Sequence, residues 1–167
     1  MVDLVTKATK FATDAHGDQV RKYHGTPYIE HPLAVAEIVK TVPHTEEMLA
    51  AAILHDVVED TPITIKTIRA FFGDTVGDLV ESLTDVSKPE DGNRAKRKEI
   101  DALHYAQGSA EAQTIKIADL IHNSKDIAKH DPGFWKVYKV EKLRILDLLT
   151  KADKTLVDVA RAQITKL

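Results

Sequence analysis

Apolar residues recur three and four positions apart along most of the chain, which is the spacing of an amphipathic α-helix. The first such stretch, LVTKATKFATDAH, and the second, PLAVAEIVKTV, each predict one helix. Further helical patterns follow in DTVGDLVESLTDV, NRAKRKEIDALHYA, AEAQTIKIADLIHNSKDIAK, FWKVYKVEKLRILDLLT and DKTLVDVARAQIT. No alternating pattern of useful length indicates a β-strand. The sequence therefore predicts an all-α fold, a compact multi-helix bundle.

Short polar signals divide these helices from one another. Thr45, followed by two glutamates, is typical of an N-cap and predicts a helix that continues through about Val58. The stretch TPIT then provides a break and a second cap at Thr64, and the helix IKTIRAFFG is expected to end at Gly73. The segments expected to be non-helical, where Gly, Pro and charged residues collect, are 17–30, 86–93 and 130–133.

Length and composition limit the class of protein. A chain of 167 residues, 43% hydrophobic and 29% charged, is typical of a soluble globular protein, and we expect a single domain over residues 1–167. No apolar run approaches the roughly 20 residues that span a bilayer, and the N-terminus lacks the order of a signal peptide. We therefore expect a cytoplasmic protein with no membrane partner. The net charge of −3 gives no general attraction to nucleic acid, so no such partner is expected, and no pattern predicts an oligomeric state.

One predicted helix carries an unusual concentration of ionisable groups. Within AAILHDVVEDTPIT, the six positions from 55 to 60 contain His55, Asp56, Glu59 and Asp60. The apolar residues beside His55 and Asp56 suggest partial burial, and buried ionisable groups need partners. If the helix continues, His55 lies over Glu59 and Asp56 lies over Asp60. Three carboxylates beside one imidazole repel one another unless a cation lies among them, which favours a metal ion; the alternative is a solvated end of the helix.

Two residues on other segments are further candidate ligands. His31 directly precedes Pro32, and Asp119 lies in the apolar stretch IKIADLIHN, where an isolated acid is unfavourable. Each has a simpler alternative, His31 as a capping or surface residue and Asp119 as a partner of Lys116 or Lys125. Because the chain has no cysteine, a metal must use His and carboxylate ligands. Two imidazoles and two carboxylates suit a first-row divalent ion such as Mn²⁺, Fe²⁺ or Zn²⁺.

The order of His31, the pair His55–Asp56, and Asp119 resembles the H…HD…D signature of the HD-domain metal-dependent phosphohydrolases. Three blocks carry a closer resemblance: RKYHGTPYIEHPLAVAEIV, AAILHDVVEDT and IKIADLIHN. They are similar to those of the alarmone (p)ppGpp hydrolases, the RelA/SpoT hydrolase domain and its stand-alone small relatives. The similarity runs from about residue 11 to residue 127, and about forty residues follow it. We therefore expect a hydrolase without a synthetase domain.

This resemblance implies hydrolysis of the 3′-pyrophosphate of a small nucleotide substrate, which converts (p)ppGpp to GDP or GTP plus pyrophosphate. The metal is implied to be Mn²⁺, or another first-row divalent ion, and its implied ligands are His31, His55, Asp56 and Asp119. Glu59 and Asp60 match the acidic pair that is thought to orient and deprotonate the attacking water.

The implied substrate contacts are spread over several segments. Arg21 and Lys22 match the family's pair beside the nucleotide, and Asn123 matches a residue near the ribose. Lys98 lies in a basic stretch that is either a solvated helix face or a cover over the two pyrophosphates. Farther on the match is loose, since Lys139 and Leu143 align where Arg and Tyr are expected toward the nucleotide.

Two other functions remain open from the sequence. An HD phosphohydrolase for another nucleotide, such as a dinucleotide or a nucleoside monophosphate, needs the same metal ligands. A catalytically silent nucleotide-binding module is the third hypothesis, but the intact pair Glu59–Asp60 beside a complete ligand set argues against it. The products formed from ppGpp discriminate among the three.

Overall fold

In a computed structural model, residues 2–167 form ten α-helices and one 3₁₀ turn. The helices are α1 (Leu4–His16), α2 (Glu30–Val39), α3 (Glu46–Leu54), α4 (Val57–Asp60), α5 (Ile65–Phe72), α6 (Asp74–Leu83), α7 (Arg94–Ala106), α8 (Ala110–His130), α9 (Pro132–Leu148) and α10 (Lys154–Lys166). The β-structure within residues 2–167 is limited to an isolated bridge between Val20 and Pro27. The prediction of an all-α fold is therefore confirmed.

The helices belong to two compact units. The N-terminal unit ends at Thr84, and the C-terminal unit runs from Asp85 to Leu167. The expectation of a single domain over residues 1–167 stays a prediction. None of the helices in the described part of the chain combines the length and the apolar character that a membrane crossing requires.

Helix α3 is the centre of the N-terminal unit. All of its residues from Met48 to Leu54 are buried, and it packs against α1, α2 and α6. The predicted cap is present, because the Thr45 hydroxyl accepts a hydrogen bond from the backbone N–H of Met48 (3.2 Å). The predicted cap at Thr64 likewise begins α5, which ends before Gly73 as expected. Local sequence signals thus define where α3 begins and where α5 begins and ends.

The predicted continuous helix through Val58 is wrong, because α3 and α4 are separated at His55 and Asp56. Ring atom Nδ1 of His55 lies 2.6 Å from the carbonyl oxygen of Ala52. In an unbroken helix that carbonyl would accept from the backbone N–H of Asp56, so the imidazole competes for the helical acceptor. Neither Gly nor Pro marks the break, and the hydrophobic pattern therefore gave no sign of it.

The break changes which side chains share a helix. His55 lies in the break and Glu59 lies in α4, so the continuous helix expected to carry both residues is absent. Asp56 becomes the N-cap residue of α4, and its carbonyl accepts from the backbone N–H of Asp60 (3.0 Å). The expected one-turn relation between Asp56 and Asp60 is therefore retained.

The segment between α1 and α2 is an ordered loop. The backbone N–H of Tyr28 donates to the carbonyl of Gln19 (3.0 Å), and that of Arg21 donates to the carbonyl of Thr26 (2.8 Å). Gly25 closes the turn with φ of 67°, a left-handed conformation that glycine adopts without strain. The loop is non-helical, as predicted, and it presents Arg21 from a fixed backbone.

Helix α8 is the central helix of the C-terminal unit and packs against α7, α9 and α10. The predicted non-helical segment 130–133 is wrong, because Asp131 alone separates α8 from α9. The Asp131 carboxylate accepts from the backbone N–H of Phe134 (3.2 Å), so one residue is enough to begin the next helix. Segment 86–93 is non-helical as predicted, apart from the 3₁₀ turn Pro89–Asp91.

Candidate metal and active site

Three predicted ligands lie together in the N-terminal unit. Nε2 of His55 is 3.1 Å from Oδ2 of Asp56, and Nε2 of His31 is 3.7 Å from the same oxygen. All three residues offer ligand atoms within 4.8 Å of one another. Both imidazoles are buried, with 3% of each residue exposed, and Asp56 is half-buried. The expected partial burial of the His–Asp pair is confirmed, and burial excludes the surface alternative for His31.

Two hydrogen bonds orient the His55 ring and the Asp56 carboxylate of this cluster. A carbonyl only accepts, so the contact with Ala52 requires a proton on Nδ1 of His55 and makes Nε2, which lies 3.1 Å from Oδ2 of Asp56, the ring nitrogen that can coordinate a metal. The Tyr28 hydroxyl donates to Oδ2 of Asp56 (2.6 Å) and favours the charged carboxylate. Imidazole nitrogen with a carboxylate oxygen is a donor set that first-row divalent ions prefer. The residues therefore fit a divalent metal ion.

The acidic pair lies on the last turn of α4. Glu59 and Asp60 are both exposed. The carboxylate of Asp60 is nevertheless partly enclosed, and its Oδ2 accepts from Nε2 of Gln19 (3.2 Å). This enclosure, followed by repulsion from Asp56, raises the pKa of Asp60. A carboxylate with a raised pKa near candidate metal ligands has the property that a general base needs.

The two predicted nucleotide contacts of the N-terminal unit lie in the ordered loop. Arg21 is half-buried and Lys22 is exposed. Nζ of Lys22 lies 5.4 Å from the ring centroid of Tyr23, within the range of a cation–π contact. Both cations therefore belong to the same unit as the metal candidates, and their contact with a nucleotide stays a prediction.

Asp119 and Asn123 lie one turn apart on α8 in the C-terminal unit. Asp119 is buried, and its carboxylate accepts from Nζ of Lys116 (3.1 Å) and from Nδ2 of Asn123 (3.0 Å). The pairing with Lys116 that the sequence left open is thus present. Asp119 as a fourth ligand and Asn123 as a ribose contact stay predictions.

Three lysines of the C-terminal unit form a cationic cluster: Lys98, Lys116 and Lys142. Lys142 is buried on α9, and its Nζ lies 4.4 Å from the ring centroid of Tyr138. Burial, followed by repulsion from Lys116, lowers the pKa of Lys142 to about 7, and Lys98 acts in the same direction. Lys116 and Lys98 are therefore both near enough to repel the Lys142 amine, which favours an anionic ligand.

The buried face of α9 carries residues that the sequence did not single out. Lys139 and Leu143 are half-buried, whereas the buried positions include Tyr138 and Lys142, one residue earlier in each case. Trp135, Tyr138 and Lys142 are spaced as one helical face. That spacing, with a lysine among aromatic residues, is the signal that could have identified them.

Comparison with known proteins adds to this geometry. The family model described as the HD domain matches residues 8–149. The guanosine-3′,5′-bis(diphosphate) 3′-pyrophosphohydrolase MESH1 of Xenopus tropicalis is 35% identical over 142 residues, which cover 83% of this chain and 78% of that protein. The bifunctional (p)ppGpp synthase/hydrolase SpoT of Escherichia coli K12 is 37% identical over 134 residues, covering 78% of this chain and 19% of SpoT.

A solved structure shows the same similarity. It is described as a metazoan orthologue of SpoT that hydrolyses ppGpp and plays a role in starvation responses. Its TM-score against this chain is 0.85 at 29% sequence identity, and the match covers 99% of this chain and 96% of the other. Nearly the whole chain is therefore similar to a protein of known experimental structure.

Proposed function

The chain belongs to the HD domain family, and we propose that it hydrolyses the 3′-pyrophosphate of (p)ppGpp to give GDP or GTP plus pyrophosphate. The observation that carries this proposal is the buried cluster of His31, His55 and Asp56 with a fixed imidazole tautomer. It occurs in a chain that is similar over most of its length to enzymes named for this reaction.

We propose Mn²⁺ as the resident ion, with another first-row divalent ion as the alternative. The N-terminal unit would contribute His31, His55 and Asp56, and the signature order in the sequence supports Asp119 as the fourth ligand. When bound, such an ion stabilises negative charge on phosphoryl oxygens and lowers the pKa of water.

The proposed catalytic residues are Glu59 and Asp60, which orient the attacking water and accept its proton. Exposure of both carboxylates leaves them accessible to water, and the raised pKa of Asp60 makes it a better proton acceptor than an ordinary aspartate. The water oxygen attacks the phosphorus bonded to the ribose 3′-oxygen while the carboxylate takes up its proton. The bond between that phosphorus and the 3′-oxygen breaks, pyrophosphate leaves intact, and the 3′-oxygen takes up a proton from the carboxyl group or from solvent to become a hydroxyl.

Three cations are proposed to contact the substrate: Arg21, Lys22 and Lys98. Arg21 has a planar guanidinium that can stack on guanine, whereas Lys22 and Lys98 can meet phosphates as point charges. Asn123 is proposed to lie toward the ribose. The cationic cluster supports a highly charged ligand, because Lys116 and Lys98 both repel the Lys142 amine and a bound anion would offset that repulsion.

The experiment that tests the function is product identification. The purified, Mn²⁺-loaded protein is incubated with ppGpp and with a panel of other nucleotides, and the products are separated by ion exchange. We expect GDP and intact pyrophosphate, with Asp56→Ala as the inactive control. Orthophosphate as the main product, or faster hydrolysis of a nucleoside monophosphate, would favour the second candidate, an HD phosphohydrolase for another nucleotide.

A further inference from the structure

His16 and Gln19 form a hydrogen-bonded chain that ends on Asp60. His16 is the last residue of α1 and is buried, and its Nδ1 lies 2.9 Å from Oε1 of Gln19. Nε2 of Gln19 donates to Oδ2 of Asp60 (3.2 Å). The Gln19 backbone is also fixed, since its N–H donates to the carbonyl of His16 (2.9 Å) and its carbonyl accepts from Tyr28 (3.0 Å).

The donors and acceptors of this chain are ordered in one direction. A charged carboxylate only accepts, so Gln19 must direct its amide nitrogen to Asp60 and its oxygen to His16. That oxygen requires a proton on Nδ1 of His16. Nε2 of His16 is buried and has no hydrogen-bond partner within residues 2–167. In the neutral ring the proton is therefore on Nδ1, where the Gln19 oxygen accepts it.

The same imidazole supports a second contact with the acidic residues. The ring of His16 packs on that of Tyr28, with centroids 4.7 Å apart, and the Tyr28 hydroxyl donates to Oδ2 of Asp56 (2.6 Å). Two side chains of the loop thus hold two carboxylates of the site, and His16 contacts both of those side chains. The arrangement is wholly contained in the N-terminal unit.

We propose that His16 and Gln19 are positioning residues that orient the Asp60 carboxylate for proton transfer. The Gln19 amide holds Oδ2, which leaves Oδ1 for the attacking water. This inference rests on the proposed function, in which Asp60 accepts the proton of that water. Loss of the amide leaves the carboxylate present but free to rotate, so turnover falls while substrate affinity is retained.

Gln19→Leu tests the hydrogen-bonded chain from His16 to Asp60. The control is Asp18→Ala, a substitution of the exposed neighbouring residue. We expect Gln19→Leu to lower kcat by about tenfold, the scale for losing one hydrogen bond to a charged group, with KM and bound Mn²⁺ unchanged. In an Asp60→Asn background, Gln19→Leu should cause no further loss. An equal loss in that background, or a change in KM alone, would overturn the proposal.

The tautomer of His16 can be measured without an activity assay, by ¹⁵N NMR of the histidine rings in the wild-type protein. We expect a proton on Nδ1, and a neutral ring protonated on Nε2 alone would contradict the hydrogen bond to Gln19. This measurement separates the inference from the proposed function. If the wild-type protein does not hydrolyse ppGpp, the proposed function is wrong. If the wild type is active and Gln19→Leu has the same kcat, the positioning role is wrong.

Substitutions of His16 separate its hydrogen bond from its ring contact. His16→Asn retains a donor close to the position of Nδ1, whereas His16→Phe retains only the packing on Tyr28. We expect His16→Asn to keep more of the wild-type kcat than His16→Phe. The reverse order in folded variants would refute the hydrogen-bond role. If both His16 variants unfold, the kinetics of Gln19→Leu and the NMR tautomer of His16 still test the positioning role.

Discussion

At the scale of single residues, one carbonyl oxygen determines what His55 can do. Because Ala52 accepts from Nδ1, Nε2 is the ring nitrogen that can coordinate a cation, and it lies beside Asp56. The same hydrogen bond interrupts the helix. A local competition for one backbone acceptor thus accompanies both the break between α3 and α4 and the orientation of the His55 ring.

Removing one ligand from this cluster should remove the metal. We expect His55→Ala and Asp56→Ala each to lose bound metal and activity, since the remaining groups no longer form a complete donor set. Metal analysis after dialysis, together with turnover of ppGpp, checks this. His44→Ala is the matched control, because His44 is an exposed histidine of the same unit. Unchanged metal content in both test variants would contradict the assignment.

The acidic pair should separate chemistry from binding. We expect Glu59→Ala and Asp60→Ala to retain metal and substrate affinity while turnover falls by roughly a hundredfold or more, the usual scale for a lost general acid or base. Metal analysis and steady-state kinetics measure the two properties independently. Glu37→Ala, an exposed glutamate on α2, is the control. Near-normal turnover of both test variants would place the proton acceptor elsewhere.

Arg21 should act on substrate binding more than on the chemical step. A net charge of −3 makes a local cation necessary to attract a substrate with several phosphates. We expect Arg21→Ala to raise KM for ppGpp more than it lowers kcat, the pattern of lost uniform binding. Lys10→Ala, which removes an exposed cation from α1, is the control. A fall in kcat at constant KM would give Arg21 a role in the transition state instead.

At the scale of elements, helix caps can be predicted from the sequence, whereas the helix breaks of this protein cannot. The caps at Thr45 and Thr64 follow a local rule and were predicted. The break at His55 depends on a side chain that displaces a backbone donor, and the one-residue link at Asp131 depends on a carboxylate that caps at once. Periodicity averages over a window, so neither of these single-residue events changes the pattern enough to be seen.

Gly73 should show how much one helix junction contributes to stability. It joins α5 to α6 with φ of 87°, where an L side chain is strained. We expect Gly73→Ala to lower the free energy of unfolding by about 1–2 kcal/mol. Gly133→Ala is the matched control, since the nearest atom to its added Cβ would be 3.9 Å away. Replacing a glycine within a helix should raise stability by up to about 1 kcal/mol.

Urea unfolding of the two glycine variants and the wild type measures both effects under one set of conditions. The same Gly→Ala substitution is expected to lower the free energy of unfolding at position 73 and to raise it at position 133. Equal stability of Gly73→Ala and the wild type would show that the junction relaxes to another conformation without strain.

At the scale of the whole molecule, most helices could be predicted from the sequence because they depend on short-range patterns, and the site residues stay a prediction. The resemblance blocks identified His31, His55 and Asp56, which the fold brings together. Contacts such as Gln19 with Asp60 join positions 41 residues apart and follow no spacing rule. Such contacts depend on how the loop packs on α4, which is a property of the folded unit.

The buried amine of Lys142 should make the stability of the protein depend on pH. Its pKa is lowered from 10.5 to about 7 by burial and then by repulsion from Lys116, while the unfolded chain retains the ordinary value. Between these two pKa values the unfolded state binds one more proton than the folded state. The free energy of unfolding from this group therefore rises with pH across that window, by at most about 1.4 kcal/mol per pH unit.

Lys142→Met tests this contribution, with Lys136→Met as the control because Lys136 is exposed on the same helix. We expect Lys142→Met to be more stable than the wild type near neutral pH, where the wild-type chain must bury a charge or release a proton. The advantage should shrink as the pH rises toward the ordinary lysine pKa, because the wild-type amine is then neutral in both states. Urea unfolding across this pH range, compared between the two variants, measures the difference in slope. Parallel pH profiles for Lys142→Met and the wild type would show that the Lys142 amine keeps an ordinary pKa, and that other charges stabilise it inside the C-terminal unit.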